Sequence, residues 1–187
     1  MSATITTRKF TVEEFIRLDQ MRFFQPDEKL ELLDGEIHPM SPSGNQHVLV
    51  LALLDRWLQR NLGDSWLVLC QSNIRLGKSS LPQPDIAVVR FLRESFQTRL
   101  PSHADAHLVV EVADTSTDID LGRKLELYAQ AGIPEYWVFN LASDILEVFT
   151  QPQAGTYQMH QRLGANDTAR SEALGISLPL ADFLKRT

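Results

Sequence analysis

Two short runs constrain this chain more than any other feature: residues 86–89 (IAVV) and 108–112 (LVVEV). Both are apolar and rich in β-branched side chains. A strand with one face in water would alternate polar and apolar positions, so these runs read as central strands covered on both sides. Around them the pattern predicts further elements. Thr11 with Glu14 three residues on has capping-box spacing and starts a short amphipathic helix to about residue 18. Residues 29–40 read as two short strands turning at Asp34-Gly35. Residues 47–62 are apolar on all sides and predict a buried helix stopped by Gly63. Strands are predicted at 66–70, 72–76, 135–139, 145–150 and 157–163, the last two as an antiparallel pair. A helix is predicted over 120–131, closed by Gly132 and Pro134, and a final helical turn over 180–185. Strands and helices alternate in the middle and hairpins flank them. The expectation is an α/β fold with a mixed central sheet flanked by helices.

At 187 residues the chain fits one domain, residues 1–187. No apolar run reaches the roughly 18 residues that cross a bilayer, and the first residues lack a secretory pattern. The expected location is the cytoplasm. Cys70 is the single cysteine, which leaves no internal disulfide; its WLVLC setting predicts a buried, inert thiol. The formal net charge of −6 weighs against a broadly basic nucleic-acid binder, although it leaves room for a local basic face.

Chemistry concentrates on the two central strands. Asp85 opens the first, after Pro84, and Glu111 interrupts the second. A carboxylate inside a buried strand is costly unless a cation or donor meets it. Two of them on neighbouring strands suit a hard divalent ion, which takes oxygen ligands and keeps several waters. The plainer alternative is that Glu111 pairs with an arginine or lysine while Asp85 caps a turn. On the predicted helix, Leu121, Lys124, Leu125 and Tyr128 share the side that should face the sheet, with Arg123, Glu126 and Gln130 opposite. Lys124 therefore needs a carboxylate partner, and Glu111 is nearest in the chain. A structural ion pair, or a lysine extended along its stem to water, remains open beside a site. Glu31, in LELL, faces away from its apolar neighbours, as a solvent-facing glutamate also would.

In chain order the segments LELLDGEI, MSPSGNQH, PDIAVV, LVVEVADTS, DLGRK and GIPEYW resemble the Uma family of restriction endonucleases. That family lies in the PD-(D/E)XK superfamily with the restriction-endonuclease-like fold. The resemblance implies metal-dependent hydrolysis of nucleic-acid phosphodiesters, with DNA the expected substrate. It places the superfamily's aspartate on Asp85, its glutamate on Glu111 and an additional acid on Glu31. The lysine two residues after the glutamate is replaced by Ala113, and the resemblance moves it to Lys124. The implied cofactor is Mg²⁺, with Mn²⁺ as substitute, held by Asp85, Glu111 and the carbonyl of Val112. Lys124 would orient the attacking water or stabilise transition-state charge. His47 and Tyr128 also match family positions, without an assigned role.

Other chemistries find no support. Gly77-Lys78-Ser79 resembles the end of a phosphate loop, but Pro82 and Pro84 exclude the helix that must follow. No zinc-peptidase or serine-hydrolase motif occurs. His38, His47, His103, His107 and His160 are scattered and read as mainly surface or loop residues. Two alternatives to a nuclease stand: an inactive nucleic-acid or protein-interaction module on the same fold, and a small-nucleotide phosphoesterase. A homodimer is also expected, sharing a sheet edge built from the Trp137/Phe139 strand and the 145–163 hairpin.

Overall fold

The computed structural model describes residues 7–114 and 116–184. Helix α1, Val12–Gln20, starts on the expected box: the Thr11 hydroxyl accepts from the Glu14 N–H, and the Glu14 carboxylate accepts from the Thr11 N–H. Strands β1 (Leu30–Leu33) and β2 (Glu36–Pro39) form a separate antiparallel hairpin. Asp34 and Gly35 turn it with φ of 47° and 78°. A Cβ on Gly35 would stand 2.5 Å from that of Lys9, so the turn requires glycine for space as well as for backbone angle.

A six-stranded sheet forms the centre, in the order β3-β4-β5-β6-β7-β8. These strands are Trp66–Cys70, Ile86–Arg90, Ala106–Ala113, Glu135–Asn140, Ile145–Gln153 and Thr156–Leu163. Only β5 and β6 run parallel; the other pairs are antiparallel, so the sheet is mixed. The two apolar runs occupy β4 and β5 inside it. Ile86, Val88, Leu108 and Val110 feed one core, which α2 (Asn45–Asn61) covers through Val50, Leu54 and Leu58. The hairpin of β9 (Thr168–Ser171) and β10 (Ile176–Pro179) covers the same core. Ala87, Val89, Val109 and Ala113 feed the opposite core. Beyond α3 (Arg93–Phe96), the chain covers that core with a π-helix, Ile119–Lys124, running directly into α4, Leu125–Gln130. A third small core, Val12, Phe15, Leu32 and Leu81, fastens α1 and the first hairpin.

Several expectations are revised. Helix α2 is buried on one stripe only; Val48 and Leu49 are 53% and 58% exposed, because the sheet lies on just one side of it. Its C-cap is Leu62 in an extended conformation, and Gly63 stays out of the left-handed region. Residues 72–76 make no strand. Ile74 and Leu76 donate to the carbonyls of Pro82 and Ser80, and Pro82 has no N–H to continue a ladder. Cys70 is exposed, yet desolvation and the nearby Asp55 carboxylate push its thiol up to about 12, so the expected inertness has another cause. The last helical turn is a 3₁₀ turn, Leu180–Asp182; Lys185 lies outside the described residues. Strand β6 is no sheet edge: it runs between β5 and β7 with Trp137 and Phe139 fully buried, so it cannot form the shared edge expected of a dimer. No helix among the described residues is long and apolar enough to cross a membrane.

Candidate active site

Asp85 and Glu111 meet because β4 and β5 are neighbours, with Ile86 opposite Val110. The Asp85 N–H donates to Glu111 Oε2 at 3.3 Å, and the Val112 N–H donates to Asp85 Oδ2 at 2.9 Å. From the helix layer Lys124 Nζ reaches Glu111 Oε1 at 3.1 Å, Glu31 Oε2 at 3.2 Å and Asp120 Oδ1 at 3.7 Å. The four expected residues thus come together in one place. Glu31 is not solvent-facing: it is 4% exposed, accepts from the Gln83 N–H and is ion-paired with Lys124. Lys124 is buried too, which rules out extension along its stem to water.

Three further residues join them. His47 Nε2 lies 2.9 Å from Asp85 Oδ2 and is buried at the start of α2, which separates it from the four other histidines. The Tyr128 hydroxyl donates to Glu111 Oε1 at 3.1 Å. Asp120 is buried and accepts from the Ser116 hydroxyl. Its signal was the four-residue spacing to Lys124 in DLGRK, which looked like a helix start. The π-winding matters here. Wider turns rotate less per residue, so residues four apart lie more nearly above one another. Asp120, Lys124 and Tyr128 are accordingly all buried, while Arg123, Glu126 and Gln130 are exposed.

Electrostatics set this cluster apart. Burial pushes the Glu111 carboxyl well above the usual carboxylate range; Asp120, Asp85 and Glu31 push it further, against the pull of Lys124. Asp120 is raised in the same way, first by burial. Burial opposes the Lys124 ammonium, but Glu111, Glu31 and Asp120 outweigh it and raise its pKa, so it stays a cation. His47 is raised by its hydrogen bond to Asp85, against desolvation. The cluster borders a cleft of about 70 Å³ accessible to water-sized molecules, flanked by Ser43, Gly44, Lys29 and Asp114. A water needs on the order of 10–15 Å³ on this measure, so several fit.

A mixed sheet with this buried acid–lysine cluster at one end defines a nuclease-like α/β protein. The chain belongs to the Uma2 family, described as "Putative restriction endonuclease", whose model matches residues 12–181. Among solved structures it is similar to a protein from Anabaena variabilis ATCC 29413 described as "a putative nuclease belonging to DUF820". The TM-score is 0.73 at 13% identity, over 93% of this chain and 97% of that one; at this identity the likeness concerns the fold. No curated protein matches the sequence.

Proposed function

We propose that this chain is a divalent-metal-dependent endonuclease that hydrolyses nucleic-acid phosphodiester bonds, with DNA as the expected substrate. One observation carries the reading: Glu31, Glu111 and Asp120 are buried around a single ammonium, Lys124, with buried Asp85 beside Glu111. Even with His47 protonated, the ionised cluster would be short of at least two positive charges, which is the charge of Mg²⁺ or Mn²⁺. The all-oxygen donor set also suits a hard cation.

Among the described residues no three His, Cys, Asp or Glu side chains surround one point ready for a metal. An ion here would therefore rest on one or two carboxylates, with waters and substrate phosphate completing its shell, as Mg²⁺ allows. Asp85, Glu111 and the Val112 carbonyl would hold the ion. When bound, it would polarise the phosphate and lower the pKa of a coordinated water. The protein's own groups do the rest. Lys124, fixed as a cation, donates hydrogen bonds to the attacking water or to the charge growing on the phosphate, and does not act as a base. Glu31 and Asp120 keep that ammonium charged and in place. The water oxygen bonds to phosphorus as the bond to the sugar oxygen breaks; the water's proton passes to solvent, and the departing oxygen takes one from it.

The test is cleavage of plasmid and single-stranded DNA, of RNA and of mononucleotides with Mg²⁺ or Mn²⁺. Asp85→Ala should abolish cleavage and leave the fold intact. The net charge of −6 favours one competing reading, a phosphoesterase for small nucleotides, and preference for mononucleotides over every polymer would decide for it. A C₂ dimer would let two such sites cut both strands of a duplex. Among the described strands β8 is an exposed edge that could pair, and sedimentation of the intact protein would reveal it.

A further inference from the structure

Asp85 and Glu111 divide their oxygens in the same way. Asp85 Oδ2 is close to two groups at 2.9 Å, His47 Nε2 and the Val112 N–H. Its other oxygen, Oδ1, has one long contact, from Gln71 Nε2 at 3.4 Å. Glu111 Oε1 takes two donors at 3.1 Å, Lys124 Nζ and the Tyr128 hydroxyl. Its Oε2 has one long contact, from the Asp85 N–H at 3.3 Å. Each carboxylate is therefore anchored by one oxygen, and the other keeps lone pairs to offer.

We propose that His47 and Tyr128 are positioning residues that anchor Asp85 Oδ2 and Glu111 Oε1, and so present Asp85 Oδ1 and Glu111 Oε2 to the divalent cation. This rests on the metal-dependent reading of the site. A carboxylate accepts and cannot donate, so the proton shared with Asp85 sits on His47 Nε2. His47 Nδ1 is buried without a partner, so the ring has no other visible anchor. An unmet buried polar atom is costly, and its retention suits a side chain kept for its second nitrogen. Tyr128 has no exposure, and its ring packs on Tyr136 at 4.9 Å. Its hydroxyl could have been a phenylalanine's hydrogen if packing were the only requirement. Instead it is spent on the oxygen that Lys124 also holds. Such partners turn a carboxylate that could rotate freely into a preset ligand, and their loss costs about 10–100-fold in metal affinity.

The probe is Mn²⁺ alone, titrated calorimetrically into the intact protein and its variants, with the electron-paramagnetic resonance of the bound ion as a second readout. His47→Leu and Tyr128→Phe should each weaken Mn²⁺ binding by about 10–100-fold and alter the resonance line shape. His47→Gln, which can return an N–H near Nε2, should recover most of the affinity. Tyr157→Phe should change nothing, since that hydroxyl donates to the Ile133 carbonyl away from the site. Tyr128→Phe preserves the ring packing, so it carries the test even where His47→Leu fails to fold. Wild-type affinity in both His47→Leu and Tyr128→Phe, with binding lost in Asp85→Asn, overturns this proposal and leaves the metal reading standing. Absence of Mn²⁺ binding in the wild type overturns both.

Discussion

Two glutamates lie on one row of the central sheet, in opposite electrostatic situations. Glu111 on β5 is opposite Val138 on β6, Val138 is opposite Glu147 on β7, and Glu147 is opposite Arg162 on β8. Both acids are almost fully buried. Glu147 meets two basic groups at the sheet edge, His160 Nε2 at 2.6 Å and Arg162 Nε at 3.1 Å. Glu111 shares one lysine with Glu31 and Asp120 and has Asp85 beside it. Burial alone therefore does not mark a functional acid. What distinguishes Glu111 is that three other acids crowd it while one lysine serves the group, next to a cleft.

The largest effects should separate the two ends of that row. Glu111→Gln should lower metal-dependent cleavage by at least about a hundredfold, the scale of losing one preorganised electrostatic group. Glu147→Gln should leave cleavage unchanged. Equal activity in the two variants would show that the crowded end of the row is not where chemistry occurs. Lys124→Met should also cost about 3–5 kcal/mol of stability in metal-free protein near neutral pH, because three buried carboxylates lose their cation. Urea unfolding at two pH values sharpens this: the loss should shrink as pH falls, because Glu111 and Asp120, raised by burial, then bind protons.

Metal should act next. Glu111 and Asp120 are held above the ordinary carboxylate range, so the folded protein binds more protons than the unfolded chain between the ordinary and the raised values. Stability then falls as pH rises through that window. His47 works in the same direction: its contribution is complete below the unfolded histidine value and is lost as pH rises through the raised folded one. Metal-free protein should therefore lose stability through this cluster on going from about pH 5 to about pH 8. Mn²⁺ held at one concentration, a hundred times its Kd at the lower pH, should restore about 2.7 kcal/mol there and more at the higher pH, where fewer protons must be displaced. A gain independent of pH, or one retained in Asp85→Ala, would place the ion elsewhere.

Much of this arrangement was legible in residues that local rules punish. Glu111 breaks an apolar strand, and Lys124 sits on a helix stripe that should be apolar; each demands a partner, and each is the other's. The hairpin at Asp34-Gly35 and the strands of the central sheet follow from turn chemistry and β-branching in the same direct way. What stayed hidden depends on distant contacts. Asp120 has the composition of an ordinary helix start, and only the π-winding shows that it turns inward. Gly44 gives no local signal, yet a Cβ there would come within 2.5 Å of Asp114 Oδ2, seventy positions along the chain. Glu31 alternates as any exposed strand residue would until Lys124 is brought over it. Residues 72–76 alternate convincingly as well, and failed as a strand because the facing segment contains Pro82.

The smallest effect tests the quiet end of the row. Arg162 and His160 have side chains 60% and 46% exposed, so their attraction to Glu147 is screened by water, and holding the long arginine in place costs entropy. His160 also stacks on Phe149 at 4.3 Å, so it has a reason to remain even without the charge. Arg162→Met should therefore cost only about 0.2–1 kcal/mol, and less in high salt, because His160 still meets the carboxylate and water can replace the guanidinium. A loss as large as that of Lys124→Met would mean that Glu147 depends on its cation as heavily as Glu111 does. The difference between the two acids would then be one of position alone, and charge imbalance would no longer distinguish the site from the scaffold.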